Sequence, residues 1–283
     1  MHDSTMPRPF SFLSWTLAAA IALALASVGA RFVGADDRPD TANALRVFDG
    51  AFGTGPDAHL NQRDGTELFC LFATPSGEDL RDEAVRLVEG LSAAFDLDWR
   101  IARVASPVDC DPDETTFFVV LADRPMPDDF ARLAERIVGS RPPHPEETFP
   151  PWADGFSVSL PGPGTREIVF VDTEDISRSP EHLRSILVEE MLQSILRAAD
   201  VPVTGIVSLL GEDTRDRDDW FDANAVGLCQ LDMVFLELLV GKGAPIASVG
   251  AVRGRLEAGL EDLLDRAATR RAAIEPFTDD RCW

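Results

Sequence analysis

Three polar residues within one predicted helix have the types and the spacing that chemistry needs. Glu189, Glu190 and Gln193 lie in the stretch VEEMLQ at residues 188–193. Residues four apart lie on one face of a helix, so Glu189 and Gln193 must be neighbours. His182 lies two turns earlier on the same line. Because a carboxylate can act as a general base or bind a metal ion, these residues form the first candidate site.

The same residues also fit an ordinary amphipathic helix. Leu183, Leu187 and Met191 belong to one broad apolar face, and the polar residues group on the other. Glu189 can then pair with Gln193, and both can be solvated. The spacing alone does not decide between a solvated polar face and a functional site.

Strand and helix patterns surround this helix and must position it. Apolar runs and alternation predict strands at residues 68–72, 99–105, 115–121, 156–160 and 166–172. Apolar residues spaced by three and four predict helices at 78–95, 128–138, 177–199, 220–239 and 247–273. The sequence therefore predicts an α+β fold, with a mixed β-sheet in the N-terminal half and a helical C-terminal half.

Two segments after the central helix, together with that helix, resemble the sequence pattern of a known family. Ser208 opens the stretch SLLGED, and Asp232 precedes leucine-rich turns and the loop GKGAP at 241–245. Over residues 67–264 the chain resembles an uncharacterised proteobacterial family of exported proteins, whose members carry a Glu-Glu-x-x-Gln helix. Through the same helix the chain is similar to the zincin metallopeptidases, which have His-Glu-x-x-His at this place.

The resemblance implies a zincin-like fold that has lost its metal. Glu189 and Gln193 stand where the zinc-binding histidines would be, and Glu190 stands where the general base would be. A catalytic zinc needs three protein ligands, and the amide of Gln193 is a poor ligand. We therefore expect no metal, no cofactor and no peptidase activity, which leaves Glu189, Glu190 and Gln193 as vestigial catalytic candidates.

A zincin-like fold that has lost its metal can still bind peptides. In active zincins an edge strand above the helix pairs with an extended substrate, and strand addition needs no catalysis. We expect Glu189, Glu190, Gln193, His182 and Asp232 to form the binding surface. The predicted function is a peptide-binding, protein-binding or scaffold module of the cell envelope.

Two alternatives remain open at this point. One is a metal-dependent hydrolase with Glu190 as general base, in which Glu189 and either His182 or the acidic loop at 212–219 hold the metal. The other is a structural envelope protein whose central polar cluster only organises the core.

Four cysteines indicate disulfide bonds. In an exported protein an even number of cysteines favours pairing, and four cysteines allow three connectivities. Pairing within each half of the chain predicts Cys70–Cys110 and Cys229–Cys282. A buried free thiol at Cys70 is the alternative.

The N-terminus predicts export. A short leader and an apolar run over residues 10–30, ending in small residues, are typical of a secretory signal peptide at 1–30. An uncleaved inner-membrane anchor over the same run is the alternative. We expect a linker at 31–65, with one short helix near 41–48, and the zincin-like domain at 66–283.

The charge of the chain limits its partners. The formal net charge of −23 disfavours nucleic acid and anionic membrane surfaces. The expected partner is an envelope protein or an extended peptide, and the expected location is the periplasm or the exterior of the cell.

Overall fold

The computed structural model of this chain describes residues 39–283 with several gaps. The gaps are residues 54–59, 61–65, 124–126, 150–152, 161–165, 175–178, 203–207, 213–223 and 241–247. The predicted signal peptide or anchor at 1–30 lies outside the described residues. The same holds for the loop at 241–245 and for nearly all of the acidic loop at 212–219.

The elements follow the predicted order closely. In the described part of the chain they are α1 (Thr41–Phe52), β1 (Leu68–Ala73), α2 (Glu78–Phe95), β2 (Arg100–Val104), β3 (Phe117–Ala122), α3 (Pro127–Val138), α4 (Pro145–Thr148), β4 (Gly155–Leu160), β5 (Arg166–Asp172), α5 (Pro180–Leu196), β6 (Val201–Pro202), β7 (Gly211–Glu212), α6 (Gln230–Leu239) and α7 (Val249–Ile274). The mixed α+β architecture is therefore confirmed.

One five-stranded sheet organises the N-terminal half. Its order is β2-β1-β3-β5-β4; β1, β2, β3 and β5 run parallel, and β4 is an antiparallel edge strand. The inner strands read as continuous apolar runs because both faces of a parallel sheet are covered. The two-residue strands β6 and β7 form a separate small pair.

Alternation along the strands divides the core into two layers. Phe69 and Leu71 of β1 belong to the larger cluster, which also contains the apolar residues of α1, α2, α5, α6 and α7. Cys70 of β1 faces the other way, into a smaller cluster with Phe130 of α3. The sheet therefore separates a thick helical layer from a thin one, and α5 lies in the thick layer.

The predicted linker is wrong for Thr41–Phe52. This segment forms α1, which is longer than the short helix expected near 41–48, and its N-terminus is capped by Asp40, whose carboxylate accepts the Asn43 N–H at 2.7 Å. Phe48 and Phe52 are buried with ring centroids 6.0 and 5.8 Å from that of Phe235. The helix is therefore part of the core that α6 and α7 complete.

The predicted start of α6 is also corrected. The described residues before it, from Asn224 to Cys229, are not helical, and α6 begins at Gln230 instead of residue 220. Leu228 bridges to Thr278 in the C-terminal tail. Gly227 lies so close to this tail that a Cβ atom there would be 2.7 Å from the Phe277 carbonyl oxygen. Because this segment pairs with the tail it is extended, and the helix begins only after it.

Both predicted disulfides are present. Cys70 pairs with Cys110, and Cys229 pairs with Cys282. Two disulfides fit a chain that folds outside the reducing cytoplasm. Within the described ranges, no helix has the length and apolarity needed to cross a membrane.

Candidate functional site

The central helix α5 lies under the open edge of the sheet. It begins after Ser179, whose hydroxyl accepts the His182 N–H, and it packs on β4 and β5. It ends at Arg197, which adopts the left-handed conformation with φ of 53°. Apolar residues are buried on both of its flanks, including Ile186 and Leu196. The helix is therefore internal, and its polar residues do not form a fully solvated face.

Close approach between β4 and α5 depends on Gly155. A Cβ atom at this position would lie 2.5 Å from Ile186 Cγ2 and 3.1 Å from both Glu190 Cγ and the Phe170 carbonyl oxygen. Only a residue without a side chain lets the strand cross the helix at this distance. The crossing covers Glu190 with the edge strand.

Glu190 is the most perturbed acidic group of this region. Its Oε2 atom is buried and has no hydrogen-bond partner among the described residues. Burial raises the pKa of Glu190 to about 8, the negative charge of Asp200 raises it further, and a hydrogen bond with Ser157 opposes these effects. At neutral pH the carboxyl is therefore mainly protonated and uncharged.

Gln193 joins the strand to the end of the helix. Its Oε1 accepts a hydrogen bond from Ser157 Oγ at 3.3 Å, and its Nε2 donates to Asp200 Oδ1 at 2.6 Å. Ser157 thus lies beside both Glu190 and Gln193, and these two predicted residues meet at one residue of β4.

A second cluster of polar side chains lies next to Ser157 and Gln193, further along β4. Glu167 of β5 is 1% exposed, and its carboxylate accepts hydrogen bonds from Ser159 Oγ at 2.7 Å and from Arg197 Nε at 2.5 Å. The left-handed backbone at Arg197 ends the helix at the point where its guanidinium reaches Glu167. Together with Glu190, Ser157 and Gln193, these residues form what we call the polar row beneath β4.

The outer side of β4 presents backbone groups of known direction. The Asp172 N–H donates to the Asp154 carbonyl oxygen at 2.8 Å, and the pairing continues from Gly155 with Val171 to Leu160 with Arg166. In an antiparallel pair only alternate residues bond to the partner strand. The backbone groups of Gly155, Ser157 and Ser159 therefore point away from β5. Among the described strands, none lies on that side.

Of the other predicted site residues, Glu189 is half-buried on α5 and lies on the same side of the helix as Gln193, four residues later. Adjacent helix positions point about 100° apart, so Glu189 and Glu190 point in different directions. His182 is half-buried in the first turn of α5, about 10 Å along the axis from Glu189.

Asp232 occupies a different and fully buried site. Its carboxylate accepts hydrogen bonds from Ser208 Oγ and from the N–H groups of Leu209 and Cys229, while Ser208 Oγ accepts the Leu210 N–H. Burial raises the pKa of Asp232 to about 6, although these hydrogen bonds lower it. The two segments that carried the family resemblance after α5 thus meet here, and Asp232 has a structural role in joining them.

The described residues do not fit a zinc centre. No group of three His, Cys, Asp or Glu side chains within the described ranges could hold a metal ion. The amide of Gln193 is already bonded to Ser157 and Asp200, and Glu190 carries a proton at neutral pH.

Comparisons with known proteins add no assignment. The chain matches no protein-family model, no curated protein and no solved structure among those to which it was compared.

Sequence reasoning missed Ser157 and Asp200 as parts of the site. The useful signal was the alternation of GFSVSL at residues 155–160, which places Gly155, Ser157 and Ser159 on one face and three apolar side chains on the other. This pattern is typical of a strand with one polar face.

The crossing of β4 over α5 can be tested by substituting Gly155 with alanine. Because the new methyl group would meet Ile186, we expect the free energy of unfolding to fall by about 1–3 kcal/mol in urea. Gly254→Ala is the control, since open space surrounds that glycine on α7 and the substitution is expected to stabilise the helix slightly. Equal effects at the two positions would contradict the close approach.

Proposed function

We propose that this protein is an exported, zincin-like domain without catalytic activity that binds extended peptide segments in the cell envelope. The observation that carries the proposal is the outer edge of β4. There the backbone groups of Gly155, Ser157 and Ser159 point away from the sheet, directly above the polar row. An extended peptide can add to such an edge as a further strand.

The arrangement of side chains suits this mode of binding. Backbone hydrogen bonds along β4 would supply affinity, and every second side chain of the peptide would face α5. Those side chains would meet Ser157, Gln193 and the Glu167–Arg197 pair, while Asp200 and the net charge of −23 disfavour acidic peptides. Small residues on this face of β4 leave room for them.

The raised pKa of Glu190 argues against one role only, that of a general base at neutral pH. A general base must be ionised before it can take a proton from water. The pKa of Glu190 is raised to about 8 by burial, so that at pH 7 most molecules carry it protonated. The hydrolase alternative requires a metal to supply both an activated water and the charge that would ionise this carboxyl.

A backbone substitution on β4 tests the proposal. Ser157→Pro removes an N–H that points to the open edge, a position where an edge strand tolerates proline. The matched control Ser157→Ala removes the same hydroxyl but keeps that N–H. With a fluorescein-labelled library of random decapeptides, we expect saturable binding to the wild type and to Ser157→Ala. We expect Ser157→Pro to bind about tenfold more weakly or not at all.

Two results would count against peptide binding at this edge. One is a screen in which the wild type binds no peptide. The other is a peptide that binds Ser157→Pro as tightly as it binds Ser157→Ala.

The hydrolase alternative has its own measurement. The mature protein, purified from an oxidising compartment without chelator, is assayed for bound zinc. About one tightly held zinc per chain, together with turnover that Glu190→Gln abolishes while the fold is kept, would replace our proposal with a metallohydrolase. We expect neither.

A further inference from the structure

A cavity lies on the opposite face of the sheet from the polar row. Its volume is about 360 Å³. Strands β1 and β3 form its floor near their carboxyl ends, α3 forms one wall, and the short 3-10 turn Pro107–Asp109 forms another. The side chains that line it and matter here are those of Phe72, Val108, Val120, Ala122, Phe130 and Leu133.

The walls of this cavity are held in place by the fold. The turn Pro107–Asp109 is capped by Ser106, whose hydroxyl accepts the Val108 N–H at 3.4 Å. The residue that follows the turn, Cys110, is bonded to Cys70 of β1. On the other side, Phe130 packs against the ring of Phe170 with centroids 5.2 Å apart. The cavity is therefore preformed.

The cavity is open to solvent on one side, and its inner lining is mainly apolar. An ordered water needs two to four polar partners, and this cavity is lined mainly by apolar side chains. Val108, beside it, is 53% exposed and is the only exposed large apolar side chain among the described residues. An apolar ligand would cover it.

The charges at the cavity restrict what it can hold. Asp129 and Arg132 are its charged lining residues, and they form an ion pair with each other on the exposed side of α3. The pair leaves no net charge there for an ionic ligand, and the overall charge of −23 repels anions. The volume lies at the lower end of the range for small-molecule sites, which is about 300–1,000 Å³.

We infer that the cavity between α3, the 3-10 turn and the sheet is a binding site for an uncharged, mainly apolar small molecule. The inference is independent of peptide binding, because the two sites lie on opposite faces of the sheet. The site selects by shape and apolar contact, and it excludes anionic amphiphiles such as fatty acids.

The test uses N-phenylnaphthylamine, an uncharged dye that fluoresces in apolar surroundings, with the intact mature protein. We expect saturable binding to the wild type. Ala122→Leu places three further carbon atoms on the cavity floor and is expected to weaken binding at least about tenfold. Its thermal unfolding temperature should stay unchanged or rise, which separates filling from unfolding.

A second variant keeps the test decisive if the first one folds poorly. Val108→Asp puts a charge beside the cavity and is expected to weaken dye binding similarly. Because the Val108 side chain is exposed, the substitution should have little effect on folding stability. Ala258→Asp is the matched control, because it adds the same charge on an exposed position of α7. Absent or unsaturable binding, or binding that neither cavity variant weakens, would overturn the site. Dodecanoate binding as tight as that of the dye would overturn the ligand class.

Discussion

Glu190→Gln is expected to stabilise the protein at alkaline pH and to remove a large part of its pH dependence. Burial, with the charge of Asp200, raises the pKa of Glu190 from 4.5 to about 8 in the folded protein. The unfolded chain releases this proton near pH 4.5. Between these pH values the folded state holds a proton that the unfolded state has lost, so the free energy of unfolding falls as the pH rises.

The size of this effect follows from the shift. One pKa unit corresponds to about 1.4 kcal/mol, so the shift from 4.5 to about 8 means that the ionised carboxyl destabilises the folded state by up to about 5 kcal/mol at pH 9. Glutamine keeps the shape and has no charge to bury. The variant should match the wild type at about pH 4.5 and exceed it increasingly towards about pH 9.

Urea unfolding across this range, followed by circular dichroism, measures the difference. Glu189→Gln is the matched control, because it makes the same chemical change one residue earlier on α5. A difference that grows in the same way in the control would show that the effect is not specific to Glu190. A difference between the wild type and Glu190→Gln that stays constant with pH would show that Glu190 is ionised in the folded protein, and would remove the main argument against a general base.

Asp232→Ala is expected to cost about 3–5 kcal/mol of folding stability. The substitution leaves the buried Ser208 hydroxyl and the N–H groups of Leu209 and Cys229 without their acceptor. An unsatisfied buried donor costs about 1–3 kcal/mol each. The same carboxylate caps α6, so the start of this helix is lost as well.

A double-mutant cycle with Ser208→Ala tests the assignment. Ser208→Ala alone removes the donor to Asp232 and the acceptor of the Leu210 N–H, and it should cost about 1–3 kcal/mol. Because the hydroxyl and the carboxylate act together, the double variant should be less destabilised than the sum of the single variants. Additive effects would show that Asp232 does not act through Ser208. Peptide binding should be unchanged in both variants wherever they fold, since this network is separate from the polar row.

The two proposed sites lie on opposite faces of the same sheet. Alternate residues of a strand point to opposite faces, so β4 presents Ser157 to α5 and Phe156 to the α3 side. Variants at the polar row and at the cavity should therefore be separable. Ser157→Pro should not weaken dye binding, and Val108→Asp should not weaken peptide binding.

The sequence by itself determined the local elements and the fold class. Strand β1 and helix α2 follow from runs and spacings within the segments themselves, and their bounds agree with the structure within a residue. The prediction that each disulfide joins two cysteines in the same half of the chain is also confirmed. The strands and helices depend on patterns within each segment, and the disulfide preference on which half of the chain each cysteine lies in.

Only the tertiary structure decided the elements and groups whose state depends on distant contacts. Helix α1 was read as part of a linker because its apolar face has meaning only once Phe235 packs on it. The start of α6 shifted because the chain before Gln230 pairs with the C-terminal tail. The raised pKa of Glu190 arises because Gly155 lets a strand from another part of the chain cross above it and bury most of its carboxyl group. Burial is a property of the assembled chain, and neither residue type nor spacing specifies it.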